Sequence, residues 1–344
     1  MRADDGTSTG RSLRLGIAGI LRRVDDQIEL AKVAERAGYH LVGIGDTQNI
    51  IPEAFVTLTA MAAATERIRL ATTVANPVTR HVAVTAAAMS SLQAASGGRA
   101  VYGVGTGDSA VANLGLPHAS LRDLEAHCRT FRALVAGKPA ACDGHPVQLQ
   151  WETHPVPVLV AAGGPKTLRL AGRVADGVIC GNGISREVVE SNLDHIAAGA
   201  REAGRSPDDI EVWHMAKIVV AGDEREAWDR YAWTLASSAN HTLRSGLRGK
   251  LVPEEVEPGL AAIRAGYDSR LHSQMDKGDL HSKLVRDSGL TEWLGRRFLI
   301  AGPPDHIRSR VDELASWGAP NLILTAIFGS PLDYTQEMGE VLLG

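Results

Sequence analysis

Cysteine is scarce in this chain of 344 residues, with Cys128, Cys142 and Cys180 as the whole complement. Their odd number argues against a disulfide framework, and their wide separation against a CxxC-type metal site. A reducing, cytoplasmic setting and no bound metal are therefore expected. A basic excess is also missing: 36 Lys and Arg stand against 40 Asp and Glu, for a net charge of -4. With the basic residues scattered, nucleic acid is not an expected partner. No apolar run reaches the length of a membrane span, and the polar stretch from Met1 to Arg11 lacks the apolar centre of a secretion signal, so no membrane association is expected either. The patterns GxSxG, HExxH and GxxxxGK[ST] do not occur, and neither does an EF-hand loop. Their absence removes the nucleophile-elbow hydrolase, zincin and P-loop NTPase readings.

What is present is a rhythm. Short runs rich in Val, Ile and Leu alternate with longer, Ala-rich stretches of helical period, the pattern of βα units around a parallel sheet. The runs predict strands at Leu13 to Ile17, Leu41 to Ile44, Ile68 to Thr73, Ala100 to Val104, Val158 to Ala161, Gly177 to Cys180, Val212 to Val220 and Asn321 to Thr325. Helices are predicted between them, for example over Gln27 to Ala37, Val82 to Ala95 and Leu121 to Val135. Eight strands fit a closed (β/α)8 TIM barrel better than an open doubly wound sheet, which would need only five or six. A dinucleotide fold would also want GxGxxG after the first strand, where this chain has Gly16-Ile17-Ala18-Gly19-Ile20. The expectation is one barrel domain over residues 12–344, with a helical insertion at 223–297 near the C-terminal side of the barrel. Residues 139–157 read as a small β excursion.

In such a barrel the site is built where polar or glycine-rich sequence follows a strand. After the second strand come Asp46, Thr47 and Gln48, which also read as a helix cap. After the third come Thr73, Val74, Ala75 and Asn76, then Arg80 and His81 at a helix start. After the fourth, Gly105-Thr106-Gly107-Asp108 exposes backbone N-H groups to a flat or anionic ligand. After the fifth and sixth, Ala162-Gly163-Gly164-Pro165-Lys166 and Gly181-Asn182-Gly183-Ile184 couple glycines to a helix N-terminus, a recipe for holding phosphate.

Taken in order, these junctions resemble the luciferase-like monooxygenase superfamily over about residues 13 to 340. The carrying segments are Ala60 to Leu70, Ala75-Asn76-Pro77-Val78-Thr79-Arg80-His81, Gly103 to Ala110, Ala161 to Gly172 and Ala175-Asp176-Gly177-Val178. Within it, Gly105-Thr106-Gly107-Asp108 followed by Leu114-Gly115 is similar to the methylenetetrahydromethanopterin reductase-like branch. The resemblance implies FMN or the deazaflavin coenzyme F420 at the barrel mouth, and a non-prolyl cis peptide at Thr73-Val74 behind the ring. It further implies cofactor contacts from Thr73, Val74, Ala75, Asn76, Thr106, Gly107, Ala162, Gly163, Gly164, Gly181, Gly183 and Ile184, with Arg297 near the phosphate.

The leading expectation from this resemblance is a two-component monooxygenase that uses reduced FMN from a separate flavin reductase to oxygenate a small organic substrate. His81 and Asp108 would manage protons, Arg80 would assist electrostatically, and Asp46, Thr47, Gln48 and His214 would face the substrate. Two alternatives accompany it: a coenzyme F420-dependent reductase or dehydrogenase, and a non-catalytic flavin-binding subunit. A polyglutamate-tailed deazaflavin would want a basic path, for which Arg186, Arg244, Arg248 and Lys250 are available. A homodimer or homotetramer is expected from the small-residue helix at Val82 to Ala95.

Overall fold

A computed structural model describes residues 13–142, 144–243, 246–268 and 279–344. Residue 12, the expected start of the domain, and Arg244 lie outside the described residues, as does part of the expected insertion. The strands are β1 (Arg14–Gly19), β2 (Leu41–Ile44), β3 (Arg69–Thr72), β4 (Ala100–Val104), β5 (Ala140–Cys142), β6 (His145–Val147), β7 (Val158–Ala162), β8 (Gly177–Cys180), β9 (Glu211–Val220), β10 (Leu299–Gly302) and β11 (Asn321–Ala326). Each of the eight expected strands forms. In the order β1-β2-β3-β4-β7-β8-β9-β11 they pair in parallel and close back onto β1, making the TIM barrel. β5 and β6 form an antiparallel hairpin inside the expected β excursion.

Sequence reasoning missed β10. β9 is ten residues long, and only its first part closes the ring, with Glu211–His214 against β8 and His214–Ala216 against β11. The remainder projects beyond the barrel and leaves an edge; β10 covers it in parallel, from Leu299↔Lys217 to Gly302↔Val220.

Alternation along each strand sorts the core into two shells. Leu41, Ala71, Val101, Leu159, Ile179, Trp213 and Ile323 point into the barrel and fill it. Their neighbours, among them Leu15, Val42, Leu70, Val160 and Leu324, pack outward against the helices. The helix Leu121–Val135 illustrates how those helices are specified. The Ser120 hydroxyl caps it by accepting the Asp123 N-H at 3.1 Å, and Leu124, His127, Cys128, Phe131, Leu134 and Val135 recur at helical spacing to form its buried stripe.

The N-terminal end of the barrel is plugged by charge. Glu211 accepts from Arg69 at 2.9 and 3.0 Å and pairs with Arg14 at 2.9 Å, while the Arg14 guanidinium lies 5.4 Å from the Trp213 ring centroid. With that end closed, the opening is at the C-terminal ends of the strands. Between β9 and β10 come the helices Glu224–Arg230, Ala232–Leu243, Glu257–Gly266, Asp279–Asp287 and Thr291–Phe298, of which Ala232–Leu243 reaches the opening, where its His241 meets Asp108.

Candidate active site at the barrel mouth

The floor of the mouth is a bulge at the end of β3, where the Thr73-Val74 peptide is cis. Glycines on both neighbouring strands make room for it. A Cβ on Gly43 would stand 2.3 Å from Thr73 Cγ2, one on Gly103 would stand 2.0 Å from the Thr72 carbonyl oxygen, and one on Gly105 would touch Val74 at 3.3 Å. The chain then rejoins the barrel, since Ala75 N donates to the Gly103 carbonyl at 2.9 Å and Gly105 N to the Ala75 carbonyl at 3.0 Å. Two polar atoms of this segment, Thr73 Oγ1 and Asn76 Nδ2, are buried without a hydrogen-bond partner. Buried polar atoms are ordinarily paired, so both are available to a ligand.

The loops after β2 and β4 are tied together across the floor. Gln48 Nε2 donates to the Ala110 carbonyl at 2.9 Å, and the Thr47 and Ser109 hydroxyls lie 3.4 Å apart. Asp46 is buried, and burial raises its carboxyl pKa; Arg80 at 3.9 Å pulls it down and Glu53 pushes it up. Arg80 is held between them, donating to Glu53 at 2.7 Å while it lies 4.4 Å from the Phe55 ring centroid. Gly107 adopts φ 100°, where a side chain would also meet Val111 at 2.9 Å. Beside it, Asp108 Oδ2 lies 3.0 Å from His241 Nδ1, a residue of the insertion helix Ala232–Leu243.

The loops after β7 and β8 behave differently. A Cβ on Gly163 would find nothing nearer than 3.4 Å, one on Gly164 nothing nearer than 3.6 Å, and one on Gly181 nothing nearer than 4.0 Å. None of the three has a positive φ. Neither packing nor backbone conformation calls for glycine there, yet each follows a barrel strand at the mouth. The space left by their missing side chains forms a glycine cradle beside the N-termini of the helices Pro165–Val174 and Arg186–Glu202, a setting that favours an anion. Gly183 is the contrast: at φ 128° its Cβ would lie 2.8 Å from Arg297.

Arg297 serves this loop as a strut. Its guanidinium donates to the backbone carbonyls of Asn182 (3.0 Å), Leu251 (2.9 Å) and Lys250 (2.8 Å), and its own carbonyl accepts from Ile184 N at 2.8 Å. Burial lowers its pKa to about 10, so it remains charged at neutral pH. Three of its N-H groups thus go to backbone carbonyls, and the residue expected near the phosphate holds together the loops that flank that position. Lys250, expected on a basic path, is buried and donates to the Thr242 carbonyl. Arg186 pairs with Glu190 at 2.8 Å.

Other expected residues take less direct positions. His81 is the N-cap of the helix Val82–Ala95, its Nδ1 accepting the Ala83 N-H at 3.2 Å. His214 is a correction: it alternates with the lumen-facing Trp213 and Met215, so it points outward, away from any substrate in the mouth. It is fully buried, both ring nitrogens lack partners, and burial lowers its pKa to about 4. The lumen-side residue one step beyond Met215 is Lys217, which donates to the Ser238 hydroxyl and whose pKa burial lowers to about 8. Lys217 was legible as the same-face partner of Trp213 and Met215; His241 and Ser238 carried no signal in the sequence.

The closed barrel, its bulged floor and the glycine cradle at its C-terminal mouth define the chain as a TIM-barrel oxidoreductase. It belongs to the luciferase-like monooxygenase family, whose model matches residues 3–321. Among its relatives, the 5,10-methylenetetrahydromethanopterin reductase of Methanolobus tindarius is 31% identical over 326 residues, covering 91% of this chain and 93% of the relative. The F420-dependent glucose-6-phosphate dehydrogenase of Beutenbergia cavernae is 36% identical over 222 residues, 59% of this chain and 66% of that one. Among solved structures, the coenzyme F420-dependent tetrahydromethanopterin reductase of Methanopyrus kandleri superposes with a TM-score of 0.75 at 23% identity, over 97% of this chain and 99% of that one.

These relatives overturn the expected two-component FMN monooxygenase, despite the family's name. The near full-length sequence relative is a reductase, and the other named sequence relative is a deazaflavin-dependent dehydrogenase. The separate flavin reductase belonged to the monooxygenase reading and goes with it. The non-catalytic subunit gives way too, because the relatives are enzymes. Among the described residues, no helix is long and apolar enough to cross a membrane.

Proposed function

We propose that the chain is a coenzyme F420-dependent reductase or dehydrogenase that passes a hydride between the deazaflavin and a small organic substrate. The observation that carries this reading is the trio Gly163, Gly164 and Gly181, whose absent side chains no protein atom explains. The names of the sequence relatives supply the coenzyme. The residues present fit it: Val74 and Ala75 back the ring, Thr73 Oγ1 and Asn76 Nδ2 offer unpaired polar atoms at its edge, and Ala162, Gly163, Gly164, Gly181, Gly183 and Ile184 hold the phosphate with Thr106 and Gly107 alongside.

When bound, the deazaflavin accepts or donates the hydride. The protein's part is to orient the substrate against it and keep water out. Asp46, Thr47 and Gln48 line the substrate side, with Arg80 fixing the Asp46 charge. Asp108 takes part in proton handling, whereas His81, occupied as a cap, is better read as positioning the Arg80 segment. A homodimer is part of this proposal, supported by Val56 and Val84, 65% and 54% exposed on neighbouring small-residue helices.

The test is fluorescence titration of the purified chain with oxidised F420 and, separately, FMN. Micromolar or tighter F420 binding with at least tenfold weaker FMN binding supports the reading. Preference for FMN, or binding of neither, overturns it.

A further inference from the structure

We propose that His241, carried to the barrel mouth by the insertion and held there by Asp108, is the catalytic residue that exchanges a proton with the substrate during hydride transfer. The inference rests on the F420-dependent reading and adds a residue to it from outside the barrel. Asp108 follows the strand β4 and its glycine loop; His241 lies 133 positions later, and the two meet at 3.0 Å. An isolated carboxylate-histidine contact on a surface would mean little. This one is fixed from both sides. Lys217, on the overhang of β9 beyond the ring, donates to Ser238 one helical turn before His241, and Lys250 donates to the carbonyl of Thr242, the next residue. The helix is thus pinned over the mouth, with its imidazole beside the loop that ends in Asp108.

The pairing also sets the chemistry of the ring. With Nδ1-H donating to the carboxylate, the lone pair resides on Nε2, and the carboxylate stabilises the imidazolium that forms when Nε2 is protonated. The side chain is 57% accessible, so that proton can pass to water. Burial first, and then the charges of Lys250 and Lys217, lower the pKa of the ring below the usual histidine value, while Asp108 at 3.0 Å is the facing group that favours the cation. In the oxidative direction, a substrate carbon bearing a hydroxyl or amino group gives its hydride to the oxidised deazaflavin. The electron pair of the O-H or N-H bond becomes the second bond of C=O or C=N, and that proton goes to Nε2. Reduction runs the same transfers backwards.

The experiment uses the full chain, His241→Gln and Asp108→Asn, with oxidised F420 and with propan-2-ol and glucose 6-phosphate as hydride donors, beside NMR of 15N-histidine-labelled protein. In the wild type, bound F420 is expected to move the His241 titration midpoint, and Asp108→Asn to lower the proton affinity of the ring about threefold or more. With a donor that the wild type oxidises, His241→Gln is expected to cut kcat about 100-fold or more. Its KM and F420 Kd should stay within about threefold, and the acidic limb of the pH profile should disappear. A His241 resonance that ignores both bound F420 and Asp108→Asn overturns the proposal, as does a variant that keeps its kcat or that loses F420 binding in step with activity. Failure of the wild type to bind F420 would instead bring down the cofactor reading itself.

Discussion

Gly43 and Thr73 occupy one space: a methyl group on Gly43 would lie 2.3 Å from Cγ2 and 2.6 Å from Oγ1 of Thr73. Thr73 follows directly on the buried strand β3 and its N-H is held by the Ile44 carbonyl at 2.8 Å, so its backbone cannot move aside freely. Gly43→Ala is expected to cost about 1 to 3 kcal/mol of stability and to weaken F420 binding at least tenfold by displacing the bulge. Urea denaturation and fluorescence titration on the same preparation check both effects; unchanged binding would mean that the bulge does not support the coenzyme.

The opposite behaviour is expected in the cradle. Gly164→Ala and Gly181→Ala introduce a methyl that meets no atom closer than 3.6 Å and 4.0 Å, respectively. Stability should hold or rise by a few tenths of a kcal/mol, roughly, as the unfolded chain loses freedom. Coenzyme binding should nonetheless weaken, on the order of tenfold, because the methyl stands where the ligand does.

Arg297 spends three donor groups on three backbone carbonyls of two loops. Arg297→Met leaves those carbonyls without donors and should destabilise the fold by about 3 kcal/mol or more. Arg297→Lys should recover little of this, since a single ammonium cannot span the fork. Proteolysis of the segment around residues 250 and 251 would report the released loop.

Burial holds His214 and His127 at about 4. An unfolded histidine binds its proton near pH 6.5, so between those values the unfolded state carries more protons than the folded one. Stability is therefore complete above about pH 6.5 and falls as the pH drops towards 4, by as much as about 3 kcal/mol for each residue. His214→Leu should flatten the slope of stability against pH by about one proton, as measured by denaturation between about pH 5 and 7.

Much of the barrel was legible because strand and helix periods differ so plainly along this chain, and because the end of each run was marked by glycine or a polar cluster. β10 was not: Leu299-Ile300-Ala301-Gly302 is four residues directly after a helix, and only the overhang of β9, a tertiary fact, gives it an edge to join. The period of two could have turned His214 away from the site and Lys217 towards it, since Trp213, Met215 and Lys217 share a face. Nothing of the kind could have found His241. Its place depends on how the insertion folds back, and on a contact with Asp108 that crosses 133 positions of the sequence. The reaction type, too, was beyond residue patterns alone, because a flavin and a deazaflavin ask for nearly the same loops.

The insertion leaves the barrel at the end of β9 and returns into β10, which lies alongside that same strand. Its two ends are therefore neighbours, anchored to one support, and its length can change without shifting the register of any strand in the ring. Helices could be added to this roof or trimmed from it while the ring, and the loops at its mouth, stayed as they are.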